Sequence, residues 1–149
     1  MPAVIAAGAA FLVAVLWFDL MFDVQALKAG PVSPQALASI GGYYRRVTTE
    51  ATPMNRLITA VMLLTLLATG AEIARAAAPA WIGWTSLAAA AAGIGLAAAR
   101  TVRDAVRIGR ADYPPETLSR LAKSVGLDHL ACLACMALVV VLQLVVALG

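Results

Sequence analysis

The side chains equipped for chemistry are few, and most of them gather at the ends of two apolar stretches. Asp19 and Asp23 close the first stretch, while Asp128, His129, Cys132 and Cys135 open the last. Asp19 and Asp23 are one helical turn apart, so both carboxylates can face the same way. If the first and last spans are neighbours, these carboxylates, the only histidine and both thiols share one pocket, and the acids with the histidine make a proton-transfer set. Cys132-Leu133-Ala134-Cys135 puts two thiols on adjacent turns near a helix start. There the helix dipole stabilises a thiolate, which suits a redox pair working with a quinone or a partner thiol. The same two residues also read as small apolar packing side chains, with Ala131 and Cys135 in a small-residue row. His129 and Cys132, completed by Asp19 or Asp23, would suit a soft metal such as copper or zinc. One histidine excludes a bis-histidine haem within a single chain. Tyr43, Tyr44, Arg45, Arg46 and Glu50 lie in the intervening loop, at the same end.

Two further groups stand apart. Glu72 falls inside an apolar run, where an acid is a candidate proton or cation site. Arg75 follows at i+3 and offers a structural pair. No carboxylate precedes Asp19 in the first stretch, unlike the deep acid of small multidrug transporters. Arg100, Arg103, Arg107 and Arg110 recur at helical spacing and form a face for lipid headgroups, a phosphate or an acidic partner.

The elements that must position these groups follow from where charge is missing. Met1 to Phe18, Ala76 to Ala99 and His129 to Gly149 carry no Asp, Glu, Lys or Arg, and Leu57 to Ala71 is a fourth such run, closed by Glu72. A helix crossing about 30 Å of hydrocarbon needs about 20 apolar residues. With 62% hydrophobic residues, 13% charged residues and a mean hydropathy of +0.89, the chain leaves little for a soluble domain. The reading is an all-α integral membrane four-helix bundle, one transmembrane domain over residues 1–149. Its spans are 3–22, 53–77, 81–99 and 129–148, and short amphipathic helices occupy the two long cytoplasmic loops. Thr52 caps the second span with Pro53 in its first turn, Pro79 stops it, and the fourth begins after Gly126 with Asp128 as its cap. No basic residue precedes the first apolar run, so it reads as a retained anchor rather than a cleavable leader.

Ten of the eleven basic residues lie in the first and third connections, and only Arg75 lies on the other side. The positive-inside rule then places those connections in the cytoplasm and both termini outside, in the periplasm of a bacterial inner membrane. The Ala-rich, Arg-dominated composition accords with a GC-rich bacterial genome. In the third connection the arginine-bearing helix runs on from the third span until Tyr113-Pro114-Pro115 breaks it. Leu118, Leu121, Ala122 and Val125 follow as an apolar stripe. In the first, Ser33-Pro34 starts a short helix that Gly41-Gly42 ends.

Lipid is as apolar as leucine, so such helices associate through small residues that allow close approach. The first span offers Ala6, Ala10 and Ala14. The third offers Ala89, Gly93 and Ala97 on one face and Ala91, Gly95 and Ala99 on the opposite one, so it is expected to be gripped from both sides. One grip is then a neighbour in the chain and the other self-association or a further membrane subunit; plain alanine enrichment in a GC-rich genome gives the same rows.

The order of parts resembles the anthrone-oxygenase-like family of small four-helix membrane proteins. The shared features are a long first loop, a tight second turn and a polar arm leading to a histidine, here Asp128-His129-Leu130. Val102-Arg103-Asp104-Ala105 stands where that family carries an asparagine-containing motif, with Asp104 a departure. The resemblance implies a four-helix membrane fold with His129 at its site.

No nucleotide loop, nucleophile elbow, zincin helix or Rossmann glycine pattern is present. No cofactor is required by the sequence, the expected partners are the bilayer and other membrane subunits, and nucleic acid is not among them. The leading reading is a non-enzymatic accessory or assembly subunit of a larger membrane complex. The alternatives are a small thiol- or quinone-linked membrane oxidoreductase using the polar site, and a proton-coupled carrier using Glu72.

Overall fold

The computed structural model describes residues 1–149 and is helical throughout, with short connections. Helix α1 spans Pro2–Leu27, α2 Pro34–Arg45, α3 Thr52–Ala74, α4 Ala80–Leu96, α5 Val102–Arg110 and α6 Pro115–Leu148. Widened π turns at Arg46–Glu50 and Ala97–Thr101 follow α2 and α4. Four helical rods are long and apolar enough to cross a membrane: α1, α3, α4 continued through α5, and α6. Their outward faces carry Trp17, Phe18, Leu64, Leu67, Trp81, Trp84 and Val141, an apolar surface of the kind that lipid rather than water covers.

Several boundaries differ from the sequence reading, each for a local reason. Helix α1 continues past residue 22 to Leu27, because Asp23 and Ala26 are buried and its last turns pack against other helices. Helix α6 does not begin at His129. It is one helix of 34 residues from Pro115, about 51 Å long at ~1.5 Å per residue, so the amphipathic stripe Leu118–Val125 is its first third. Gly126 does not break it, since the absent side chain admits α1: a Cβ there would lie 3.0 Å from Leu27 Cδ2 and 3.3 Å from Asp23 Cβ. Asp128 is therefore an interior helical residue rather than a cap. Gly41 and Gly42 likewise lie within α2, which Ser33 caps by accepting a 3.2 Å bond from the Ala36 amide. Thr52 caps nothing: Ala51 holds the cap position, and Asn55 reaches back to the Thr48 carbonyl at 3.2 Å.

The rods pack in two apolar layers. Ile5, Ala9, Leu12, Ala68, Ala90, Met136 and Val139 join α1, α3, α4 and α6. Ala26, Ile40, Tyr44, Ala105, Ile108, Ala122 and Val125 join α1, α2, α5 and α6. Asp23 meets His129 near the second layer while Ile5 and Val139 share the first, so α1 and α6 run antiparallel. Helices α2 and α5 cross backbone to backbone at Gly109, where a Cβ would lie 2.8 Å from Arg45 N. That crossing holds Tyr44 over the end of the bundle. The polar cluster sits between the two layers.

Candidate functional site

His129 is the centre of the cluster. Its Nδ1 lies 2.7 Å from Asp23 Oδ2, and its Nε2 lies 3.8 Å from Asp19 Oδ2. Tyr44 donates its hydroxyl to Asp23 Oδ1 at 2.6 Å, and Tyr43 donates to Asp19 Oδ1 at 2.7 Å. Asp23 is fully buried, and Tyr44 and His129 nearly so. Phe22 stacks on Tyr43 with ring centroids 4.0 Å apart, which fixes the phenol over Asp19. Burial pushes the Tyr44 phenol up, and the carboxylates of Asp23 and Asp19 add to that. Burial and Asp19 do the same for Tyr43. Both phenols therefore stay protonated and act as fixed donors to the two acids.

This arrangement divides the two ring nitrogens of His129. Asp23 accepts from Nδ1, so Nε2 is the atom left for exchange, as a carboxylate orients an imidazole in proton-transfer sites. The carboxylates differ correspondingly. Asp23 is spent on His129 and Tyr44, whereas Asp19 is bonded only to Tyr43 and lies beside the free nitrogen.

A cavity of about 480 Å³ opens beside the cluster, within the usual range for a small-molecule site. All four rods contribute to it. Asp19, Tyr43, Tyr44 and His129 form its polar end, and most of the remaining lining is hydrophobic, including Leu16, Ile58, Met62 and Met136. Phe18, Met54 and Val102 line it while remaining exposed, so the cavity reaches the apolar flank of the bundle.

A second polar station braces the wall. Asp128, buried on α6, accepts from Arg100 Nε at 2.9 Å and from Thr101 Oγ1 at 3.1 Å, and it also pairs with Arg100 Nη2. The π turn at Ala97–Thr101 adds a residue to the helical path, and this turns Arg100 and Thr101 toward α6. The arginine face is thus not uniformly free. Arg100 serves Asp128, Arg107 and Arg103 approach Asp104 at 3.1 and 3.9 Å, and Arg110 forms no ion pair. Asp104 is buried against those arginines and does not line the cavity.

The thiols are placed differently from the expectation. Both are free, and α6 starts well before them, so neither feels the helix terminus, whose influence fades within a turn. Cys132 lines the cavity and donates to the Gly93 carbonyl at 3.3 Å, and Cys135 packs against Gly93 outside the cavity. Asp19, Asp23 and His129 converge, but no three His, Cys, Asp or Glu side chains meet at metal-binding geometry.

Glu72 is likewise reassigned. It is fully buried and accepts from Gln143 Nε2 at 2.9 Å, while Arg75 is exposed and forms no ion pair with it. The only sequence signal for its partners is that Gln143 is the one amide in the uncharged run after His129; Ser86 carries none. Of the small-residue rows, Gly93 packs on Cys132 and Met136 of α6, whereas Ala91, Gly95 and Ala99 are exposed. One grip on α4 is therefore made within the chain, and the opposite row is open.

The chain was compared with protein-family models, curated proteins and solved structures, and none of them matches it.

Proposed function

We propose that this chain is a multi-pass membrane protein whose cavity binds an apolar ring bearing a carbonyl or hydroxyl oxygen, of the quinone or phenol class, and exchanges a proton with it through His129. The observation that carries this reading is an oriented histidine whose Nε2 has no hydrogen bond, at the polar end of a largely apolar cavity. A hydrophobic body with one oxygen is complementary to that wall, since apolar lining supplies affinity and a few fixed polar groups supply orientation. Asp19 is the second proton acceptor, 3.8 Å from Nε2. The opening past Phe18, Met54 and Val102 suits a ligand arriving from the acyl chains. On this reading His129 and Asp19 are the proton-transfer groups, and Asp23 holds the imidazole in place.

In this reading the bilayer is that of a bacterial inner membrane, the connections bearing ten of the eleven basic residues face the cytoplasm, and both termini lie outside. Reporter fusions at each end test the orientation. The binding test is calorimetric titration of a short-chain ubiquinone or of menadione into the detergent-purified protein and its H129A variant. Saturable binding of one ligand per chain, weakened at least about tenfold (about 1.4 kcal/mol) by H129A, is expected. Absence of saturable binding, or equal binding by the variant, overturns the reading.

A second reading is favoured by one observation: the Ala91, Gly95 and Ala99 face of α4 is open, with nothing within 4 Å of a Cβ built at Gly95. Such a face suits packing against another membrane helix, in an accessory or assembly subunit. Native sizing after mild detergent extraction tests it, and a lone monomer with no stoichiometric partner rejects it.

A further inference from the structure

At the opposite end of the bundle from His129 lies a second buried polar group that the cavity does not use. Glu72 on α3 is 10 residues beyond Met62, the last α3 residue lining the cavity, about 15 Å along the helix. Gln143 on α6 donates one amide hydrogen to Glu72 Oε2 at 2.9 Å and directs the other to Ser86 Oγ of α4 at 3.2 Å. All three side chains are fully buried. Across the whole protein, only two buried side-chain polar atoms lack a partner, and both belong to this group: Glu72 Oε1 and Gln143 Oε1.

Both orphans are oxygens, so what is missing is a donor or a cation. The surroundings bring neither to the orphans: the Ser86 hydroxyl accepts from Gln143 Nε2 and bonds neither oxygen. Thr65 and Thr69, the buried hydroxyls on α3, donate to the carbonyls of Val61 and Thr65. No ionisable side chain occurs on α1 before Asp19, on α4 from Ala80 to Leu96, or on α6 after Cys135. Arg75, the charged side chain of that end, is exposed and does not pair with Glu72. A buried carboxylate without a counter-charge is strongly disfavoured.

We propose that Glu72 carries a proton in the folded protein and that Glu72, Gln143 and Ser86 form a buried proton-binding site joining α3, α4 and α6. One proton on Glu72 Oε1 resolves both orphans together. The acid hydroxyl becomes the donor and Gln143 Oε1 its acceptor, while Gln143 Nε2 continues to donate to Glu72 Oε2. An acid and an amide then pair through two hydrogen bonds. The site is independent of the His129 cavity and stands or falls separately from it.

Infrared spectroscopy of the purified protein in lipid at neutral pH tests this. The expected result is a protonated-carboxylic-acid carbonyl band that E72Q removes. In Q143L, which keeps Glu72 and removes its acceptor, the same band should move to higher frequency. The Q143L spectrum decides the matter if E72Q does not fold. Absence of a Glu72-dependent acid band overturns the proposal. So does an E72Q-sensitive rise in melting temperature on adding sodium or potassium chloride, because the occupant is then a metal cation.

Discussion

Asp23 and His129 are 106 positions apart in the chain and meet at 2.7 Å in the buried junction of α1 and α6. The antiparallel pairing of the first and last helices makes the contact, and Gly126 permits it by bringing the α6 backbone against Asp23 and Leu27. Each carboxylate oxygen holds one donor, the Tyr44 phenol on Oδ1 and the imidazole on Oδ2, so Asp23 presets the ring that lines the cavity.

The first prediction concerns the imidazole. His129 is the only histidine, so its ring nitrogens give unambiguous magnetic resonance signals. In the wild-type protein Nδ1 should carry a proton and Nε2 should respond to added quinone. D23N should redistribute the proton between the nitrogens, because an amide can donate to Nδ1 where the carboxylate only accepted. Unchanged ring signals in D23N would show that Asp23 does not set the ring state.

The two tyrosines should separate on thermal denaturation. Tyr44 is buried and its hydroxyl bonds a fully buried acid, so Y44F should cost about 1.5–3 kcal/mol. Tyr43 is only half-buried, and water can replace its hydroxyl beside Asp19, so Y43F should cost less. Equal losses would contradict the division of labour between the two acids.

Two glycines make a contrast in packing. A Cβ at Gly109 would lie 2.8 Å from Arg45 N, backbone that cannot turn aside, so G109A should cost about 1–3 kcal/mol and loosen α2. At Gly126 the nearest atom is the end of the Leu27 side chain, which can shift, so G126A should be milder. Melting curves of the two variants, with ligand binding measured beside them, check the order.

Thiol labelling distinguishes the cysteines. Cys132 is 3% exposed and bonded to the Gly93 carbonyl, while Cys135 is partly open. Maleimide should modify Cys135 well before Cys132, and C132S should keep the quinone binding expected of the cavity. Rapid, equal modification of both thiols would indicate a more accessible pair than the packing allows.

Much of the architecture was legible in the residues alone, because the cost of putting charge in hydrocarbon is large and local. Uncharged runs mark α1, α3, α4 and α6, and the arginine row at helical spacing marks α5 as the continuation of α4. Asp19, Asp23 and His129 were legible as candidates for the same reason, since ionisable groups bordering apolar runs are conspicuous. Their meeting was not, because it depends on which rods are neighbours, and apolar helices of similar composition do not encode their own pairing.

Other features turned on contacts distant in sequence. Gly126 and Asp128 look like a helix start, yet α1 packing against Gly126 and Arg100 pairing with Asp128 keep α6 unbroken. Arg75 is the nearest cation to Glu72 in sequence, yet burial gives the acid to Gln143 on another helix. Chain composition thus decided which segments are apolar rods and where the polar groups sit along them, because hydrophobicity is a property of each segment by itself. Only the tertiary structure decided which acid serves which partner, because a buried polar group takes the donor that packing brings within about 3 Å, whatever its distance along the chain.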